Sequence, residues 1–101
     1  MNYQVAEDAS GFCVKISGEL NFSASTEFKS IIDKLTTAKG RPVTFDLAGV
    51  SRIDSVGLGL LYIAKEELAG AGGKIRLKAP QSGVLKMLRL TDADADFDVQ
   101  S

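Results

Sequence analysis

The chain has 101 residues, 45% apolar and 25% charged, with a net charge of −1 from 12 basic and 13 acidic residues. That balance fits one soluble globular domain and lacks the clustered basic excess of a nucleic-acid binder. A single cysteine and no histidine exclude an internal disulfide, histidine-based nucleophile pairs and the usual zinc sites. The apolar runs are only a few residues long, too short to span a membrane. Met1-Asn2-Tyr3-Gln4 has neither the basic region nor the apolar stretch of a signal peptide, so the expected location is cytoplasmic.

Tyr3 to Ala6 is a weak strand pattern and Phe12 to Ile16 a stronger one, with Phe12, Val14 and Ile16 on one side. The two can form a hairpin across Glu7 to Gly11, and Gly18 punctuates the second. Ser23 then caps a helix whose core face is Ala24, Phe28, Ile31, Ile32 and Leu35. Lys39-Gly40 is its stop signal. Pro42 opens a strand over Val43 to Leu47. A second helix runs from about Val56 to Ala69, with Gly57, Leu60, Leu61, Ala64 and Leu68 inward, and ends at Gly70-Ala71-Gly72-Gly73. Lys74 to Lys78 alternates as a strand, and Pro80 breaks it. Ser82 to Leu90 is a short helix with Val84, Met87 and Leu88 inward, and Asp96 to Val99 is a last strand. This order predicts an α/β fold, one domain over residues 1–101. Its mixed sheet has about four to five strands and interleaved helices, with right-handed parallel crossovers.

The segment Asp54-Ser55-Val56-Gly57-Leu58-Gly59 carries the functional signal. It joins a strand to a helix and puts a hydroxyl at the helix start, where side-chain oxygens cap unpaired N–H groups and the dipole tolerates an anion. Ser55 is therefore a cap or a phosphate acceptor. Stepping 100° per residue sets Leu58 and Tyr62 beside Ser55, away from the core, where they form either an apolar docking patch around a modifiable serine or a surface that another element of the fold covers. Gly57 faces the core, where close packing of helix on sheet explains it. Gly59 faces outward, where the close approach of a partner's backbone explains it.

Other signals read as ordinary structure. Gly57-Leu58-Gly59 continues to Tyr62 where a dinucleotide turn needs glycine. Gly72-Gly73-Lys74 meets Ile75 where a phosphate loop needs Ser or Thr. Asp92 to Asp98 mimics a calcium loop, but Phe97 stands at the position that requires glycine. It reads as a solvated acidic loop, and folding is expected to need no ion. Cys13 reads as an inert, partly covered thiol. No nucleophile–base pair can be assembled, so the chain reads as a non-enzyme without cofactor or metal.

The whole chain resembles a STAS domain (sulfate transporter and anti-sigma factor antagonist), and most of all the small stand-alone bacterial anti-sigma factor antagonists. The resemblance rests on Gly18-Glu19-Leu20-Asn21, on Phe45-Asp46-Leu47 leading to Ile53-Asp54-Ser55-Val56-Gly57-Leu58-Gly59-Leu60, and on Gly72-Gly73-Lys74-Ile75-Arg76-Leu77. It implies partner switching. Such proteins bind a serine kinase that is also an anti-sigma factor. The kinase phosphorylates a serine matching Ser55, the complex dissociates, and a phosphatase resets it. The implied partner surface is Asn21, Phe22, Ser23, Asp54, Ser55, Leu58, Gly59 and Tyr62, on a monomer or weak dimer without nucleic acid or direct membrane insertion. The sequence departs from the family pattern at Asn21, where Asp is usual, and has almost no room for the usual final helix before Ser101. The alternatives are a constitutive subunit of an assembly such as a lipid-transport complex, or a small-molecule or nucleotide-binding domain.

Overall fold

The computed structural model of the chain describes residues 1–9, 11–35, 42–68 and 75–100. The helix stop at Lys39-Gly40, the run Gly70-Ala71-Gly72-Gly73 and Lys74 lie outside the described residues. Strands β1 (Asn2–Asp8) and β2 (Gly11–Leu20) lead through a short 3-10 turn (Phe22–Ala24) into helix α1 (Ser25–Leu35). Strand β3 (Val43–Ile53), helix α2 (Ser55–Leu68), strand β4 (Arg76–Lys78) and helix α3 (Ser82–Leu90) follow. A second 3-10 turn (Ala93–Ala95) and strand β5 (Asp98–Gln100) complete the described chain. The five strands make one sheet in the order β1-β2-β3-β4-β5. β1 pairs antiparallel with β2, and the other pairs are parallel, so the sheet is mixed, as expected.

The register divides the sheet into two faces. Tyr3 stands opposite Ile16, Val5 opposite Val14, Val14 opposite Phe45, and Phe45 opposite Leu77. Val14, Ile16, Phe45 and Leu77 share one buried cluster with Phe28 and Ile31 of α1, Leu60 and Leu61 of α2, and Val84 and Leu88 of α3. The Phe28 and Phe45 rings stack at 5.5 Å between centroids, which fixes α1 over β3. The alternate row is polar: Gln4, Lys15, Asp46, Lys78 and Gln100 lie side by side across the five strands. Strand alternation therefore puts the apolar set beneath the helices and leaves the other face to water.

Every residue expected on the core faces of α1 and α2 is buried. On α3, Val84 and Leu88 are buried and Met87 is only partly covered. Three expectations are corrected. Gly18 does not end β2: the strand passes through it at φ +96 and reaches Leu20, with register shifts on either side. β3 likewise continues beyond Leu47 to Ile53. A strand that keeps a neighbour to pair with need not stop where its apolar alternation does. The third correction is the acidic segment after α3, which is a packed turn. Ala93 and Phe97 are buried in the core, and the last strand begins only at Asp98.

Candidate functional site

Two strand-to-helix turns meet at the ends of β2 and β3. The Asp54 N–H donates to the carbonyl of Leu20 at 3.4 Å, which ties them together. Gly57, one turn into α2, lies so close to the end of β2 that a Cβ there would collide with the Leu20 carbonyl group. Glycine is thus required at 57 by backbone packing, as the sequence indicated.

Asp54 is the helix cap. Its Oδ1 accepts from the Gly57 N–H at 2.8 Å, and its carbonyl accepts from the Leu58 N–H at 2.9 Å. This is the N-cap arrangement, in which a carboxylate satisfies one of the orphan donors of the first turn. Ser55 is therefore the first helical residue rather than the cap. It is exposed, and its hydroxyl has no hydrogen-bond partner among the described residues.

The neighbouring turn is capped in the same way. Asn21 Oδ1 accepts from the Ser23 N–H at 3.1 Å and from the Ser23 hydroxyl at 2.6 Å. Asn21 Nδ2 donates to Glu19 Oε2 at 3.3 Å. The cap is therefore Asn21 and not Ser23, because the chain first makes a 3-10 turn and only then enters α1. Glu19 also lies 3.9 Å from the Arg52 guanidinium, an exposed pair of the kind that contributes little to stability. Glu19, Asn21, Arg52, Ile53 and Asp54 line a shallow cleft of about 190 Å³ between the two turns.

The apolar surface around Ser55 differs from the helical-wheel expectation. Leu58 and Tyr62 are half-buried and pack on the core. The turn that follows α3 lies over this side of α2. The Tyr62 hydroxyl donates to Asp96 Oδ2 at 2.5 Å, and its ring meets Phe97 edge-on at 5.1 Å. The bond to Asp96 holds the phenol proton, and burial and the negative charges of Asp96 and Asp92 add to the effect. The Tyr62 pKa is pushed up to about 12. The exposed apolar side chains are instead Phe22, 76% exposed, Val56, 39%, and Ile63, 38%. Gly59 lies between Val56 and Ile63 on the helix surface, and a Cβ there would meet nothing within 4 Å. Val56, Gly59 and Ile63 fall within an arc of about 60° on the helix, so the wheel itself contained this stripe. The wheel could not reveal which side the distant turn covers.

Among the described residues, no group of three or more His, Cys, Asp or Glu side chains could hold a metal ion, and no helix is long and apolar enough to cross a membrane. The fold and this pair of turns define a small α/β domain organised around a strand-to-helix junction with an exposed serine. Residues 1–101 match the family model of the STAS domain, and the chain belongs to that family. An anti-sigma factor antagonist from Mycobacterium paratuberculosis has a similar structure, with TM-score 0.86 and 22% identity over 98% of this chain and 84% of that one. A candidate anti-sigma factor antagonist from Thermotoga maritima gives TM-score 0.83 and 22% identity over 98% of this chain and 86% of that one. The Bacillus cell fate determinant SpoIIAA in its phosphorylated form gives TM-score 0.72 and 18% identity over 99% of this chain and 92% of that one. At these identities the likeness is one of fold.

Proposed function

We propose that this chain is a cytoplasmic, non-enzymatic binding module switched by phosphorylation of Ser55. In the unmodified form it binds a serine kinase that also acts as an anti-sigma factor. The kinase phosphorylates Ser55 and the complex separates, and a phosphoserine phosphatase restores the binding form. The observation that carries this reading is the division of labour at the start of α2. Asp54 already holds the cap, so the exposed Ser55 hydroxyl is free for modification without loss of the helix start. The solved SpoIIAA with its phosphorylated form lends support by fold.

The partner surface in this reading comprises Asn21, Phe22, Ser23, Asp54, Ser55 and Gly59, together with Val56 and Ile63. Leu58 and Tyr62, both half-buried, contribute only their exposed edges. A phosphate adds about −1.5 to −2 charges at neutral pH. On the free protein it meets a helix N-terminus and water, which tolerate it. In a packed interface beside Phe22 and Val56 it must lose water, at a cost of several kcal/mol unless cations compensate. Each 1.4 kcal/mol is about tenfold in affinity, so part of that penalty is enough to switch.

The test begins with intact mass after incubation with native-cell extract and ATP, where a single phosphate should localise to Ser55. The kinase responsible is then titrated with unmodified protein, phosphorylated protein, Ser55→Ala and Ser55→Asp, with circular dichroism confirming each fold. Ser55→Ala should bind without being released, and the phosphorylated form should bind at least tenfold more weakly. Equal binding of both forms would leave the chain as a constitutive assembly subunit.

A further inference from the structure

We propose that the outer edge of β1 is a self-association surface, on which a second copy of this chain adds its own β1 in an antiparallel register centred on Gln4. Among the described residues, β1 is the first strand in the sheet and pairs with β2 alone. Its ladder with β2 runs unbroken from Asn2 opposite Ser17 to Asp8 opposite Gly11, so no bulge turns the edge away. Asn2 to Ala6 contains no lysine, arginine, proline or acidic residue. Bulges, charges and prolines are the devices that normally blunt a sheet edge. The opposite edge, β5, is only three residues long and begins at Asp98, which pairs with Arg76 at 3.4 Å. The stretch Asn2 to Ala6 of β1, short of the acidic Glu7 and Asp8, is therefore the part of the two described edges that lacks these devices.

The side chains select the occupant and its direction. Tyr3 and Val5 face the helix-bearing side of the sheet. Tyr3 packs on the core, with its hydroxyl accepting from Lys34 Nζ at 3.0 Å, whereas Val5 is 41% exposed. With Gln4 opposite Gln4 of the second copy, Tyr3 of each copy stands opposite Val5 of the other. Aromatic and β-branched residues opposite one another are favourable cross-strand pairs. Asn2 then stands opposite Ala6, a neutral pair. Parallel addition would set Glu7 against Glu7, whereas the antiparallel register separates these residues by about 20 Å at the rise of a strand. Five paired residues on each copy bury less than about 1,200 Å², so the dimer is weak and depends on concentration. It uses no residue of the Ser55 surface and stands independently of the switch.

The test is sedimentation of the full chain over a concentration series, with Val5→Lys, Gln4→Lys and, as a control, Phe22→Lys, each checked for fold by circular dichroism. The wild type and Phe22→Lys should dimerise alike, and each β1 variant should raise the dissociation constant at least tenfold. A spin label at Glu7→Cys in a Cys13→Ser background should report a label separation near the antiparallel value in the dimer. A monomer at every concentration, a dimer insensitive to both β1 variants, or adjacent labels at position 7 would each overturn the proposal.

Discussion

Asp54 and Ser55 are neighbours in sequence with opposite duties. The carboxylate of Asp54 secures the start of α2 through the Gly57 N–H, so Asp54→Ala should lower stability by about 1 kcal/mol in urea unfolding. The Ser55 hydroxyl holds nothing among the described residues, so Ser55→Ala should stay within about 0.5 kcal/mol of wild type. Equal losses in the two variants would return the capping role to Ser55. Asn21 shows why an amide suits its turn. Its oxygen caps Ser23 while its nitrogen donates to Glu19, and an aspartate there would face that carboxylate without a donor. Tyr62 gives a prediction in pH. An unfolded tyrosine ionises near pH 10, whereas the folded one holds its proton to about 12. The stabilisation is therefore complete below about pH 10 and fades as pH rises towards 12, because the unfolded chain gives up its proton first. Tyr62→Phe should be about 1 kcal/mol less stable than wild type at neutral pH, and denaturant titrations should show the gap closing across that window. A gap that stays constant would mean that the bond to Asp96 is not the source of the shift.

Helix α2 packs on the core with one face and is exposed on the other, and its two glycines lie one on each side. Gly57→Ala would push a methyl group into the backbone of Leu20. Neither element can withdraw without breaking its own hydrogen bonds, so a loss of at least about 2 kcal/mol is expected. Gly59→Ala meets open space and should gain roughly 1 kcal/mol from helix propensity. If a partner's backbone lies against Gly59, the same variant binds more weakly while folding better. Unfolding curves and partner titration together read both effects, and tighter or unchanged binding would remove Gly59 from the interface. The inward face of α2 was legible in the sequence, because a period of 3.6 selects it whatever the partner element is. Its outward face was only half legible. Leu58 and Tyr62 lie on the solvent side of the wheel, yet Leu58 packs against the core, and Asp96 and Phe97, more than thirty residues further on, fold back over Tyr62.

Across the whole molecule, a polar sheet face and an apolar patch at the ends of β2 and β3 leave the patch as the apolar surface beside Ser55. Phe22 is its most exposed apolar side chain, at the first position of a three-residue turn whose last residue, Ala24, is buried. Phe22→Ala should leave the melting temperature nearly unchanged and weaken partner binding by over 1 kcal/mol, about fivefold or more. Calorimetry showing unchanged affinity for Phe22→Ala and Ile63→Ala alike would remove the patch from the interface.

The sequence by itself determined the element order, the mixed α/β class, the core faces of α1 and α2, and the serine at the start of α2. All of these follow from local periodicity, turn residues and the residue types around one junction. Only the tertiary structure decided what depends on contacts between segments remote in the chain. It assigned the α2 cap to Asp54 through the geometry of the turn, carried β2 and β3 beyond their apolar runs by pairing them, and folded the acidic segment onto Tyr62. That last contact moved the exposed apolar stripe of α2 to Val56, Gly59 and Ile63. Side-chain period records which residues share a face, but burial of that face is set by whichever segment returns to cover it.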